Sequence, residues 1–222
     1  MPTAVCLVSG GMDSLVALAL ARQKTPEVAL LHVNYGHLTE SRELKAFTEV
    51  ADYYGIRRRL VVDIGYLHEI GGSALTDPSI PLPVGRLDRP EIPVSYVPFR
   101  NANLLAAATS WAEVLNAGEI YIGAVEEDSS GYPDCRESFF RAFNLVIREG
   151  TRPETRIQIV APLLHLTKKQ IVETGMELKV PFHLTWSCYR ASELACGTCD
   201  SCLLRLKGFS EAGVADPIGY AR

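Results

Sequence analysis

The sequence predicts a doubly wound α/β fold, a five-stranded parallel sheet with helices on both faces and a small C-terminal metal-binding segment. Three observations carry this. Short apolar runs alternate with longer segments of helical period, first over residues 4–64 and again from residue 101 onward. The run at residues 28–36 is continuously apolar until its end, as a strand buried on both faces is. The first run breaks at a glycine turn that leads straight into a helix, a junction suited to holding an anion.

The first strand spans Ala4 to Val8, and Ser9-Gly10-Gly11 turns the chain into a helix over Ser14 to Arg22. VALLHVNYG, residues 28–36, is the second strand. Thr39 is placed to N-cap a helix on which Leu44, Phe47, Val50, Ala51 and Tyr54 recur until Gly55 stops it. RRLVVDI, residues 58–64, is the third strand. Residues 65–98 break the pattern, with Pro78, Pro81, Pro83, Pro90, Pro93 and Pro98 and no sustained period. A loop this long inside a compact domain is usually functional or disordered, and it is expected to form a partly mobile lid. Asn101 to Asn116 is a helix stopped by Gly118, EIYIGAV (119–125) the fourth strand, 137–150 a helix and RIQIVAP (156–162) the fifth strand. Thr167 and Gln170 form a capping box for the helix KKQIVETGMELK. Residues 1–184 are thus expected to form the α/β domain and 185–222 the C-terminal segment. Loops Ser9–Ser14, Asn34–His37 and Glu126–Glu137 all follow strands, at the sheet edge where such folds bind ligands.

A chain of 222 residues suits one large domain with at most a small appendage. It is 47% apolar and 22% charged, the balance of a globular protein with a full core. Its net charge of −4 argues against a nucleic-acid partner. The N-terminus has no basic signal region and no stretch approaches a membrane span, so no membrane association and a cytoplasmic location are expected. In that compartment clustered cysteines are more often metal ligands than disulfides.

In SGGMDS the two glycines let backbone N–H groups approach an anion, the helix start adds partial positive charge, and Ser9 and Ser14 place hydroxyls on either side. No lysine follows, which distinguishes it from the G-x-x-x-x-G-K-[ST] loop. A plain strand-to-helix turn capped by Asp13 or Ser14 is the alternative. Four of the six cysteines, Cys188, Cys196, Cys199 and Cys202, form C-x7-C-x2-C-x2-C, with Gly197 in a tight knuckle. Four thiolates satisfy a tetrahedral Zn2+ and leave no open position, so one structural zinc per chain is expected, with an iron–sulfur cluster or disulfides as alternatives. Cys6 reads as core filler, and Cys135 has no evident base beside it.

SGGMDS resembles the pyrophosphate loop of the N-type ATP pyrophosphatases, which split ATP between its α- and β-phosphates and adenylate a substrate oxygen. With NYGH (34–37), YVPFRNANLL (96–105), SSGYPDCR (129–136), APLLHLTKKQIV (161–172) and TWSCY…CGTCDSC…GF (185–209), the chain resembles the 7-cyano-7-deazaguanine synthase family (QueC/ExsB) from end to end. It departs from the commoner family form at Phe99 (Gly), at His37 (Gln) and around Glu126–Asp128, which lacks an asparagine-containing segment. The resemblance implies an adenine nucleotide alpha hydrolase-like fold and an ATP-dependent carbon–nitrogen ligase of queuosine precursor biosynthesis. Such an enzyme converts 7-carboxy-7-deazaguanine and ammonia to 7-cyano-7-deazaguanine, uses ATP with Mg2+, and forms a homodimer. It further implies catalytic roles for Ser9, Asp13, Ser14 and Lys168. Val8, Ser9, Gly10, Gly11, Met12, Asp13 and Ser14 would cradle phosphates, and Val33, Tyr35 and Gly36 would border the nucleoside. Arg100, Asn101, Tyr132, Asp134 and Arg136 would hold the deazaguanine carboxylate, whose charge calls for a bidentate cation and whose ring N–H groups call for an acceptor. An ordinary first-turn lysine is the alternative for Lys168, and a structural salt bridge for Arg100. Two other functions remain open at this point: a tRNA-modifying enzyme with the same ATP chemistry, and a non-enzymatic nucleotide-binding zinc module.

Overall fold

Strands β1 (Thr3–Leu7), β2 (Glu27–Asn34), β3 (Arg59–Asp63), β4 (Glu119–Ile122) and β5 (Gln158–Val160) pair in parallel as one five-stranded sheet, in the order β3-β2-β1-β4-β5. The structure is a computed structural model that describes residues 3–87, 91–126 and 131–221. Pro90 of the long loop, Glu127 and Asp128, and the Ser129-Ser130 start of SSGYPDCR therefore lie outside the described residues. Among the described residues, no helix is long and apolar enough to cross a membrane.

The helices are α1 (Met12–Lys24), α2 (Glu40–Tyr53), α3 (Tyr66–Ile70), α4 (Arg100–Leu115), α5 (Glu137–Gly150), α6 (Lys168–Glu177) and α7 (Asp200–Glu211). Alternation along β1 divides the core. Ala4, Cys6 and Val8 pack with α1, Phe47 of α2, Ile171 and Val172 of α6, and Phe209 of α7. Val5 and Leu7 pack on the other face with Leu105, Ala108 and Ala112 of α4 and Phe140 and Ile147 of α5. Burial of each large aliphatic side chain contributes about 1.5–3 kcal/mol. The order reverses between β1 and β4, which opens the crevice where doubly wound sheets take ligands.

Several element ends differ from the sequence reading. Helix α1 starts two residues earlier than Ser14, because Gly11 takes the N-cap position and Met12 and Asp13 enter the first turn. Thr39 occupies the N-cap of α2, yet its hydroxyl makes no capping bond and its buried Oγ1 has no partner. Helix α4 is ended by Asn116, which itself adopts the left-handed conformation (φ 51°), before Gly118 is reached. The capping box of α6 is fully formed: Thr167 accepts from the Gln170 N–H, and the Gln170 side chain accepts from the Thr167 N–H.

The long loop differs most. Its described residues include α3 and a turn at Ser73–Thr76 that is fully buried. Near its middle it is pinned to the cysteine segment: the Gly85 N–H donates to the Thr198 carbonyl (2.6 Å), the Arg86 N–H to Asp200 (2.8 Å), and Arg190 to the Leu82 carbonyl. Where the prolines suggest a partly mobile lid, the described residues form a strap anchored at these points, with Ala74, Leu75, Ser95 and Val97 in the interior. Periodicity misses it because the strap is held by single backbone bonds to remote residues.

Helices α6 and α7 approach so closely at Gly208 that a Cβ there would lie 2.9 Å from the Lys168 carbonyl oxygen and from its Cβ. The Gly208→Ala variant is expected to lose about 1–3 kcal/mol in urea unfolding despite the better helix propensity of alanine. Unchanged stability would show that α7 can shift freely.

Candidate active site

The crevice beyond β1 and β4 holds a cavity of about 250 Å3. Its floor is the glycine turn. Gly10 has φ 90°, and a Cβ on it would sit 2.7 Å from the Glu43 carbonyl oxygen and 2.9 Å from the Ala46 Cβ, so only glycine fits. The Ser9 hydroxyl accepts from the Gly11 N–H (3.2 Å) and donates to Ser14 Oγ (3.2 Å), and the Ser14 hydroxyl donates to the Gly11 carbonyl (2.9 Å). β4 ends against this turn at Gly123, where a Cβ would lie 2.6 Å from the Ser14 nitrogen. On the other side, the Trp186 N–H donates to the Gly10 carbonyl at 2.9 Å.

Lys168, at the start of α6 and nearly buried, reaches across the turn to Asp13, Nζ to Oδ2 at 2.7 Å. Asp13 Oδ1 is buried without a hydrogen-bond partner. The surface-lysine alternative is thereby excluded.

The opposite wall is aromatic and cationic. Arg100 Nη1 donates to the Tyr35 hydroxyl (3.2 Å), with the guanidinium over the Tyr35 ring (5.3 Å) and 6.0 Å from the Tyr132 ring centre. Its Nε is buried with no partner. Asp134 lies behind this wall: Oδ2 accepts from the Asn101 N–H (2.9 Å), its carbonyl accepts from the Asn101 amide (3.0 Å), and Oδ1 is unpartnered. Burial raises the Asp134 carboxyl above its ordinary range, against the Asn101 N–H and Arg100, which pull it down. Burial and the Asp134 charge push the Cys135 thiol up to about 11, which favours its protonated form at neutral pH. Tyr132 hydrogen-bonds with Ser95 (3.0 Å) from the strap.

The cavity brings together most of the residues singled out in the sequence: Val8, Ser9, Gly11, Met12, Asp13 and Ser14 on the floor, Lys168 beside them, and Val33, Tyr35, Arg100, Asn101 and Tyr132 on the walls. Gly10 sits beneath the floor, and Gly36 presses against His68, its Cβ position 2.6 Å from the His68 Cβ. Arg136 is exposed at the N-cap of α5, outside the lining. The structure adds wall residues that the sequence reading did not name: Glu43, Gly123, Trp186, Tyr189 and Arg205. Trp186 and Tyr189 lie in TWSCY, where no local pattern distinguishes an aromatic that lines a cavity from one that fills a core.

The four cysteines Cys188, Cys196, Cys199 and Cys202 converge so that their sulfurs all lie within 4.8 Å of one another, and they could hold a metal ion. No disulfide joins them. The Arg190, Ala191 and Cys196 N–H groups point at Cys188 Sγ (3.4, 3.4 and 3.3 Å). Hydrogen bonds from Cys199 and Cys202 pull the Cys188 thiol well below its ordinary value.

This fold and crevice define a doubly wound α/β protein whose crevice opens where the strand order reverses. The family model described as "Queuosine biosynthesis protein QueC" matches residues 3–213, and the chain belongs to that family. A protein of Chlorobaculum parvum named 7-cyano-7-deazaguanine synthase is 58% identical over 217 residues, covering 98% of this chain and 96% of its own. One of the same name from Chloroherpeton thalassium is 57% identical over the same coverage. Among solved structures, the U34-tRNA thiolase NcsA from Methanococcus maripaludis, with its [4Fe-4S] cluster, superposes with a TM-score of 0.51 at 17% identity, covering 86% of this chain and 60% of its own; it shares the fold.

The wall contributed by the cysteine segment is tied down by Arg205, which is 1% exposed and forks onto Asp216 (Nε to Oδ2 2.7 Å, Nη2 to Oδ1 2.9 Å) while also donating to Thr185 (2.7 Å). Asp216→Asn leaves that guanidinium without its counter-charge and is expected to cost about 3–5 kcal/mol in denaturant unfolding. A loss below about 1 kcal/mol would mean that the neutral hydrogen bonds suffice.

Proposed function

We propose that this chain converts 7-carboxy-7-deazaguanine and ammonia to 7-cyano-7-deazaguanine at the expense of ATP, acting in the cytoplasm as a homodimer. One observation carries the reading: a single cavity joins the glycine turn, suited to phosphates, to a wall bearing a buried arginine with a free Nε. The relatives named for that activity support it.

The chemistry is an adenylation. A carboxylate oxygen attacks the α-phosphorus of ATP and expels pyrophosphate; ammonia then displaces AMP from the acyl-adenylate and yields the amide. A second ATP adenylates the amide oxygen, and loss of AMP with two N–H protons leaves the nitrile. The turn's backbone N–H groups and the Ser9 and Ser14 hydroxyls stabilise charge that grows on the leaving pyrophosphate. Lys168 exchanges its contact with Asp13 for a phosphate oxygen. Val33 and Tyr35 border the nucleoside. The Arg100 fork takes the substrate carboxylate and Tyr132 stacks on the deazapurine, while Asp134, held by Asn101 behind that wall, supplies counter-charge to Arg100. The exposed position of Arg136 suits a contact at the cavity's entrance.

Asp13 Oδ1, a buried acceptor with no protein donor beside the anion turn, fits a Mg2+ held with the phosphates; bound there, the ion neutralises phosphate charge. The cysteine set fits Zn2+. Four thiolates at about 2.3 Å from one ion stand about 3.8 Å apart, and Cys196 Sγ and Cys202 Sγ are 3.9 Å apart. A cubane cluster, whose cysteines bind different irons, holds its sulfurs farther apart. With four protein ligands such a zinc is structural.

Mass spectrometry of a reaction containing the carboxylate, ATP and ammonium is expected to show the nitrile with pyrophosphate release and no requirement for RNA. Dependence on added tRNA would favour the tRNA-modifying alternative, and no ATP turnover would favour a binding module. Elemental analysis is expected to find about one zinc per chain, lost with a fall in melting temperature in Cys196→Ala. Iron in its place, or a zinc-free variant of normal stability, would overturn the structural zinc.

A further inference from the structure

The glycine turn is fixed at its far end by a side chain that lies outside the cavity. His32 sits in the middle of β2 on the α1–α2 face, 1% exposed, with its ring against Phe47 of α2 (centroids 5.1 Å apart). A plain apolar residue would fill this place, and burying an imidazole is unfavourable unless its nitrogens are bonded. Its Nδ1 lies 2.9 Å from the carbonyl oxygen of Val8. A carbonyl only accepts, so Nδ1 carries the proton and donates. Its Nε2 is buried without a hydrogen-bond partner, so among the described residues the bond to Val8 is the one polar contact that holds the ring.

Val8 is where the strand stops being a strand. Ladder pairing of β1 ends at Leu7, opposite Leu31 and Ile122, and Ser9 begins the turn. The Val8 N–H still bonds the Leu31 carbonyl (2.9 Å), while its own carbonyl takes a side-chain donor from His32. That carbonyl belongs to the same peptide unit as the Ser9 N–H, so the imidazole sets the orientation of the first peptide of the anion turn. We propose that His32 is a positioning residue for nucleotide binding: by holding the Val8 carbonyl it aims the N–H groups and the Ser9 hydroxyl of the turn at the phosphates, without touching them.

The inference rests on the nucleotide reading of the cavity, and its test separates the two. Calorimetric titration with ATP is compared for the wild type, His32→Leu, which keeps bulk and apolar packing but has no donor, and His32→Asn, whose Nδ2 occupies nearly the place of the imidazole Nδ1. His32→Leu is expected to bind ATP about five- to tenfold more weakly, one hydrogen bond's worth. The KM for the carboxylate substrate should stay within about twofold, and His32→Asn should restore ATP affinity to within about twofold of wild type. Equal ATP affinity in a folded His32→Leu protein overturns the positioning role, as does weakening that Asn fails to rescue or that tracks melting temperature in both variants. If the leucine variant does not fold, nitrogen NMR of the wild type decides. The His32 Nδ1–H resonance is expected to shift on addition of pyrophosphate, and an unmoved resonance in a protein that binds pyrophosphate overturns the role. A wild type that binds neither ATP nor pyrophosphate overturns the nucleotide reading itself.

Discussion

The site depends on the compression of the chain at Gly10. This residue has a positive φ, its α-carbon faces the Glu43 carbonyl with no room for a methyl group, and its own carbonyl is bound by the Trp186 N–H. Three parts of the molecule meet there: the turn after β1, the start of α2 and the entry to the cysteine segment. A side chain at this position would be strained by its backbone and would collide with backbone atoms, for which no rotamer change compensates. The turn is thus held from outside, which is what preorganised anion binding needs, because N–H groups already aimed do not have to be reoriented when charge develops.

The same contact ties the cysteine cluster to the wall of the cavity. Trp186 and Tyr189, on either side of Cys188, line the cavity, while Gly85 and Arg86 of the strap are fastened to Thr198 and Asp200 of the knuckle. A cluster that loosens therefore releases a wall of the cavity and the strap together. The buried Arg205–Asp216 pair secures the following helix to the same segment, and Tyr220 adds a hydrogen bond to Asp216 at 2.6 Å.

The departures from the commoner family form acquire physical content. Phe99, standing where that form has glycine, is in the left-handed region (φ 58°) as the residue before α4, a conformation that glycine adopts without penalty. Its exposed ring meets Phe139 edge-on at 6.2 Å, which offsets part of the strain. His37, standing where that form has glutamine, stacks on Tyr35 (4.2 Å) and lies 3.2 Å from Glu43. Phe99 directly precedes Arg100, and His37 packs on Tyr35, so both adjoin the wall of the cavity.

Local chemistry in the sequence determined much of this protein. Short apolar runs identified all five strands, the Thr167–Gln170 box marked the start of α6, SGGMDS marked the glycine turn at the cavity floor, and the spacing of four cysteines marked a cluster that could hold a metal ion. Each of these signals lies within a few residues, because strand burial, capping and knuckle formation are short-range effects. Only the tertiary structure decided what joins distant segments. Lys168 meets Asp13 across 155 positions of sequence, Trp186 supplies a donor to Gly10, and the described part of the Pro-rich loop is anchored at Leu82, Gly85 and Arg86 by Arg190, Thr198 and Asp200. It also separated Arg100 from Arg136, two arginines beside equally distinctive motifs, since one side chain is turned into the crevice and the other is exposed at the N-cap position of α5, where it makes no capping bond. Pairing of this kind leaves no periodic trace in sequence, for it depends on which loops the parallel sheet carries to one edge.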